Sequence, residues 1–217
     1  CFEKAIAINP NHADAHNNLG VIFQKLKENQ KAKSCYKKAI EINPNHADAH
    51  YNLGNLLKKL GDDQKAKSCY EKVIKINPNH VDANNNLGII YIELGQNQKA
   101  KDCYEKAIEI NPNHADAHNN LGNIFKELGE NQKAKDCFKK AMAINPDFIA
   151  PIKNISQLYS NELNLEKATS LSYKALKMYR DKFTFTDLKI SLNQLKHDVQ
   201  QAKYLSSKNY EVEGLDQ

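Results

Sequence analysis

The residues best placed to do chemistry recur at one spacing. Asparagines stand at Asn18, Asn52, Asn86, Asn120 and Asn154, each 34 residues after the last. An asparagine amide carries both a donor and an acceptor, so such a row can hold a peptide backbone without reading its side chains. Histidines pair four residues apart at His12/His16, His46/His50 and His114/His118. Two imidazoles one helical turn apart can bind a transition metal. The only nearby third ligands, Asp14, Asp48 and Asp116, lie two residues from their neighbours, where a helix points them elsewhere,. His80 faces Asn84, which breaks the series. The pairs therefore read as packing and turn hydrogen bonds, and no metal or other cofactor is expected. No nucleophile–base constellation, phosphate loop or catalytic carboxylate pair stands out. His197-Asp198 is one isolated dipeptide and reads as surface. This stretch of chain is expected not to be an enzyme.

Five cysteines, Cys1, Cys35, Cys69, Cys103 and Cys137, share the 34-residue step. There is no Cys-x-x-Cys and so no zinc knuckle. Stacked helices lie about 8–10 Å apart, beyond the roughly 7 Å that a disulfide spans between Cα atoms. The cysteines are expected to be small packing residues, which suits a reducing, cytoplasmic compartment.

Chemistry repeated at a fixed step needs a repeated element to position it. Leu-Gly recurs at Leu19-Gly20, Leu53-Gly54, Leu87-Gly88 and Leu121-Gly122; a later alanine recurs at Ala32, Ala66, Ala100 and Ala134; Asn-Pro closes each unit at Pro44, Pro78, Pro112 and Pro146. Four units result, 13–46, 47–80, 81–114 and 115–148, with a decayed fifth at 149–182. In the first, Asn11 with Asp14 predicts a helix start. Ala15, Leu19, Ile22, Phe23 and Leu26 give a helical apolar stripe. Gly20, costly inside a helix, marks close approach of a partner helix. The turn reads Lys27-Glu28-Asn29 here but begins with Gly61, Gly95 and Gly129 in the next units, where glycine can take the left-handed conformation that ends a helix,. Ala32, Cys35, Tyr36, Ala39, Ile40 and Ile42 form the stripe of the second helix, which Asn43-Pro44 stops.

In the fifth unit Ile155-Ser156 stands for Leu-Gly and Leu163 for the turn glycine, as suits a terminal repeat,. Residues 1–12 match the end of a second helix whose first helix is missing, which points to a piece of a longer protein with a sticky end near Phe2. Residues 183–206 carry one apolar stripe, from Leu188 to Leu205, and predict a helix capping the stack; 207–217 reads as a polar tail,.

The order Leu-Gly, aromatic, Gly, Ala, aromatic, Ala, Pro over 34 residues resembles the tetratricopeptide repeat,. That resemblance implies an all-α, right-handed superhelical solenoid with a concave groove lined by the first helix of each pair. It would put the Asn series in the groove with variable neighbours: Tyr51, Asn55 and Lys58; Asn85 and Ile89; Asn119, Asn123 and Lys126. The series is similar to the asparagine ladder in the repeat domain of O-linked N-acetylglucosamine transferase. The implied function is a scaffold that binds an extended protein segment in the groove; the alternative is the substrate-recognition arm of a larger glycosyltransferase-like enzyme. The family's carboxylate clamp is argued against, because Asn17, Asn85 and Asn119 take the place of its lysine.

Net charge is +5, and its lysines alternate with acids as on a solvated face,. A nucleic-acid footprint would want a denser basic patch with aromatic platforms. No apolar run is long enough to cross a membrane. The expected partner is a protein or peptide, with end-to-end self-association through the incomplete first repeat.

Overall fold

The computed structural model describes residues 2–182, which form eleven α-helices and no strand. The capping helix and tail expected over 183–217, His197-Asp198 and Cys1 lie outside the described residues. The chain divides into two compact units, 1–112 and 113–217. The first holds α1 (Phe2–Ile8), then three hairpins: α2 (Ala13–Lys25) with α3 (Asn29–Ile42), α4 (Ala47–Lys59) with α5 (Asp63–Ile76), and α6 (Val81–Glu93) with α7 (Asn97–Ile110). The second holds α8 (Ala115–Glu127) with α9 (Asn131–Ile144), and α10 (Ile149–Asn161) with α11 (Leu165–Lys182).

Each of the first four hairpins closes over a ring laid on a glycine. A Cβ on Gly20, Gly54, Gly88 or Gly122 would stand 2.6, 2.9, 2.5 or 2.6 Å from Cε1 of Tyr36, Tyr70, Tyr104 or Phe138. Those rings are buried together with Ala32, Ala66, Ala100 and Ala134. The last hairpin solves the same problem differently. Ser156 stands at the glycine position and Ser172 at the ring position, and the Ser156 hydroxyl lies 2.8 Å from both the Ala168 carbonyl oxygen and the Ser172 hydroxyl.

The turn has one geometry throughout. Gly61, Gly95 and Gly129 have φ of 79°, 70° and 74°, while Lys27 and Leu163 are held at 62° and 60°. The amides beyond the helix reach back five residues, as in Glu28 N to Phe23 O at 2.9 Å and Asp62 N to Leu57 O at 2.9 Å, the pattern that satisfies a helix C-terminus.

The first repeat is thinner than the sequence stripe implies. Ile22 is 41% exposed, against 0–1% for its equivalents Leu56, Ile90, Ile124 and Leu158. Among the described residues the seven-residue α1 is what precedes α2, and it leaves Ile22 less covered than its equivalents. Leu26 and its equivalents Leu60 and Leu128 are exposed rather than in the stripe, because they cap the helix at the hairpin's edge.

Candidate functional site: the asparagine face of the first helices

The start of each first helix is set by histidine, not by the expected asparagine. Nδ1 of His12, His46, His80 and His114 accepts from the backbone N–H of Ala15, Ala49, Ala83 and Ala117 at 3.0–3.4 Å. A ring nitrogen here replaces the side-chain oxygen of the usual cap. The second histidine of the pair sits in the first turn of the helix that the first one caps. The backbone N–H groups of His16, His50 and His118 donate to the carbonyl oxygens of His12, His46 and His114, each at 3.2 Å. The side chains of two of them also tie the helix back to the preceding turn: His16 Nε2 lies 2.9 Å from the Pro10 carbonyl oxygen and His50 Nε2 3.0 Å from that of Pro44. Asn84 does the same work with its Nδ2, donating to Pro78 at 3.3 Å. Burial holds the His50 imidazole below its usual pKa, the main cause, with Lys72 acting in the same direction. His46 Nε2 is buried 3.0 Å from Asp14 Oδ1, off the direction of a hydrogen bond.

The four-residue spacing of His12/His16, His46/His50 and His114/His118 places a helix cap at the first position of each pair. In each pair the first Nδ1 accepts from the backbone amide three residues on. None of these six, His118 included, belongs to a cluster of three or more His, Cys, Asp or Glu side chains that could hold a metal ion among the described residues.

One turn beyond that start, the asparagine row faces the preceding first helix. Asn52 Nδ2 donates to Asn17 Oδ1 at 3.0 Å. Asn86 Nδ2 donates to Asn55 Oδ1 at 3.1 Å and to the Tyr51 hydroxyl at 3.4 Å. In the second unit Asn154 Nδ2 donates to Asn123 Oδ1 at 2.9 Å and Asn119 Oδ1 at 3.2 Å. In sequence both halves of each amide are available to a ligand. In the structure the nitrogen halves lie in the seam between consecutive first helices, because a donor left bare there would be costly.

The neighbouring positions divide into two kinds. Asn17, Asn85 and Asn119 are buried at 6% exposure and so are not part of an open groove wall. Each donates a longer bond, 3.3–3.5 Å, to the Oδ1 of the next residue, Asn18, Asn86 or Asn120. Asn55 is pinned from behind: the buried Tyr70 hydroxyl donates to its Oδ1 at 2.7 Å. Tyr51, Ile89, Asn123, Lys58 and Lys126 are half-buried on this face. The Tyr51 ring lies against His80 at 4.7 Å between centroids, and burial raises its phenol pKa. Lys58 bridges to Glu93 in the next first helix at 2.7 Å, and Lys126 donates to Gln157 at 3.4 Å. The inter-repeat pairing of Tyr51, Asn55, Glu93 and Gln157 had no signal in the sequence beyond the 34-residue register itself.

Lysines stack on ring faces, Lys67 and Lys99 over Tyr91 at 5.3 and 5.5 Å, and Lys135 and Lys167 over Tyr159 at 5.4 Å. Cys35, Cys69, Cys103 and Cys137 are half-buried and in no disulfide, and burial pushes the Cys69 and Cys103 thiols up to about 11.

The tetratricopeptide repeat pattern matches residues 13–46, 47–80 and 115–148, with further matches over 69–102 and, as TPR repeat, over 88–129. The chain belongs to the tetratricopeptide repeat family. Its all-α repeat fold is shared with solved structures of that kind. YrrB, described as a TPR protein with an unusual peptide-binding site, is 25% identical with a TM-score of 0.70, over 90% of this chain and 98% of its own. MamA is 26% identical with a TM-score of 0.67, over 75% and 95%. Pseudomonas aeruginosa PilF, 17% identical with a TM-score of 0.69 over 90% and 97%, shares the fold alone. No curated protein sequence matches the chain. No described helix is long and apolar enough to cross a membrane.

Proposed function

We propose that this chain is a non-catalytic scaffold that holds an extended protein segment on the asparagine face of its first helices. The observation that carries this reading is the row itself. Asn52, Asn86 and Asn154 are half-buried, aligned by bonds to the preceding helix, and present at the same position of their repeats. Ordering the side chains in advance removes part of the entropy that a ligand would otherwise have to overcome. Successive first helices advance by roughly 10 Å, and an extended chain by about 3.3 Å per residue. One rung thus meets one ligand residue in three. YrrB's description as peptide-binding supports the same use of the fold.

Tyr51, Ile89, Asn123, Lys58 and Lys126 would then meet ligand side chains and set preference. Cysteines outside any disulfide suit a reducing, cytoplasmic setting,. The same row would also serve as the substrate-holding arm of a larger glycosyltransferase-like enzyme, a reading that rests on the ladder's recurrence at Asn18, Asn52, Asn86, Asn120 and Asn154.

The test is a peptide-array screen with the wild-type chain and with Asn52, Asn86 and Asn120 all changed to Ala. Each lost bond is worth about 1 kcal/mol net, so affinity should fall by roughly a hundredfold for three. Circular dichroism checks that the variant stays helical. Equal affinity of a folded triple variant removes the reading.

A further inference from the structure

The hydrogen bonds along the asparagine face run in one direction. Asn52 donates to Asn17, and Asn17 donates on to Asn18. Asn154 donates to Asn119, and Asn119 donates on to Asn120. Asn86 donates both its N–H bonds backwards, to Asn55 and Tyr51. Its orientation is fixed from the core, because Asn55 Oδ1 already accepts from the buried Tyr70 hydroxyl and turns its acceptor towards Asn86. An amide nitrogen has two N–H donors and its oxygen two lone pairs. At Asn86 and Asn154 both donors are therefore engaged inside the protein, and at Asn52 one of the two is.

The oxygens are in the opposite state. Asn52 Oδ1 and Asn154 Oδ1 accept no bond among the described residues, and Asn86 Oδ1 accepts one long bond, 3.3 Å, from Asn85. All three side chains are half-buried, so these oxygens are partly withdrawn from water and still open on one side. A chain of amides donating in one direction also polarises its members, which strengthens the acceptor at the end of each link.

We infer that Asn86 and Asn154, each within its own unit, offer a ligand acceptors only, and that with Asn52 Oδ1 they recognise the backbone N–H groups of an extended segment. This deepens the proposed function and rests on it. The ligand class follows. It is a segment with an N–H available at every third residue, so proline is excluded at those positions. In the first unit the row runs Asn18, Asn52, Asn86. Asn18 keeps its Nδ2 unengaged among the described residues, so it is the one rung of that unit able to donate with both its N–H groups.

Two measurements test this. The first needs no ligand. In the free protein, side-chain amide hydrogens of Asn86 and Asn154 should exchange with water at least tenfold more slowly than those of the exposed Asn161, read by nuclear magnetic resonance. Equal rates overturn the inference. The second uses a capped peptide of about twelve alternating Thr and Ala residues, long enough for the three rungs at roughly 10 Å each. Its counterpart has an ester in place of every Ala N–H. Rungs three residues apart alternate between Thr and Ala, so no register avoids losing at least one N–H. The ester peptide should bind threefold to tenfold more weakly, the effect of one lost bond. Equal binding of the two overturns the inference and leaves the proposed function standing. Binding of neither peptide, with no array hit for the wild-type chain, overturns the proposed function and the inference with it.

Discussion

Replacing Gly88 by Ala should destabilise the chain, against the usual effect of that change in a helix. Gly→Ala in a helix interior ordinarily gains about 1 kcal/mol. Here the new Cβ would stand 2.5 Å from Cε1 of Tyr104 and 2.9 Å from both Cδ1 and Cζ. Carbon atoms rest at about 3.5–4.0 Å, so the ring must move by about 1 Å. It has little room, since Tyr104 is 2% exposed in a hairpin also closed by Ala100 and Ala107. Overpacking of this kind costs about 1–3 kcal/mol, and an overlap of this depth belongs at about 3. The net loss is about 2 kcal/mol, which for a chain of this size is a fall in Tm of about 4–8 °C. Urea and thermal unfolding followed by circular dichroism give the number. The same substitution in a Tyr104→Leu background should recover the ordinary stabilising sign, because the ring is gone. A Gly88→Ala variant as stable as wild type would refute the argument, and so would an equal loss with Leu at position 104. Ser156 opposite Ser172 is the chain's own version of that double change.

Three further outcomes follow from the structure. Lys27→Gly and Leu163→Gly should each raise stability by about 1 kcal/mol, because both side chains sit at positive φ where an L-residue is strained,; urea midpoints check this, and no gain at either site counts against it. Burial raises the Cys69 and Cys103 thiols to about 11, so the folded chain holds those protons more tightly than the unfolded one. That contribution is complete below the ordinary value of 9.0 and is lost as pH climbs towards 11,. The urea midpoint should therefore drop across that window, less steeply in a Cys69→Ala/Cys103→Ala variant. Ile8, 86% exposed on α1, should drive association through that end, so sedimentation should show larger species at high concentration that Ile8→Asp abolishes.

The repeat, its two helices and its turn were legible in the sequence because each depends on residues within a few positions of one another. Gly20 against Tyr36 and the left-handed turn are local demands of one hairpin, and four near-identical copies make them plain. Position in the repeat also pointed to Asn18, Asn52, Asn86, Asn120 and Asn154 as one row. What 34-residue spacing could not express is the direction in which each side chain turns. Asn17, Asn85 and Asn119 share a helix face with the row in a helical projection, yet they are buried, and Asn17 and Asn119 accept from the next first helix. The histidine caps were hidden for a similar reason. His12, His46 and His114 match a metal spacing with His16, His50 and His118 in sequence, while the Nδ1 contacts of the first three are made to a backbone amide three residues on.

Sequence alone determined the all-α repeat, its register and which residue types recur. Tertiary structure decided how the amides are used, since a hydrogen bond between Asn52 and Asn17 or Asn86 and Asn55 needs two repeats to be laid side by side. A buried donor must find an acceptor wherever packing puts one, and that location is a property of the seam between helices, not of either helix by itself.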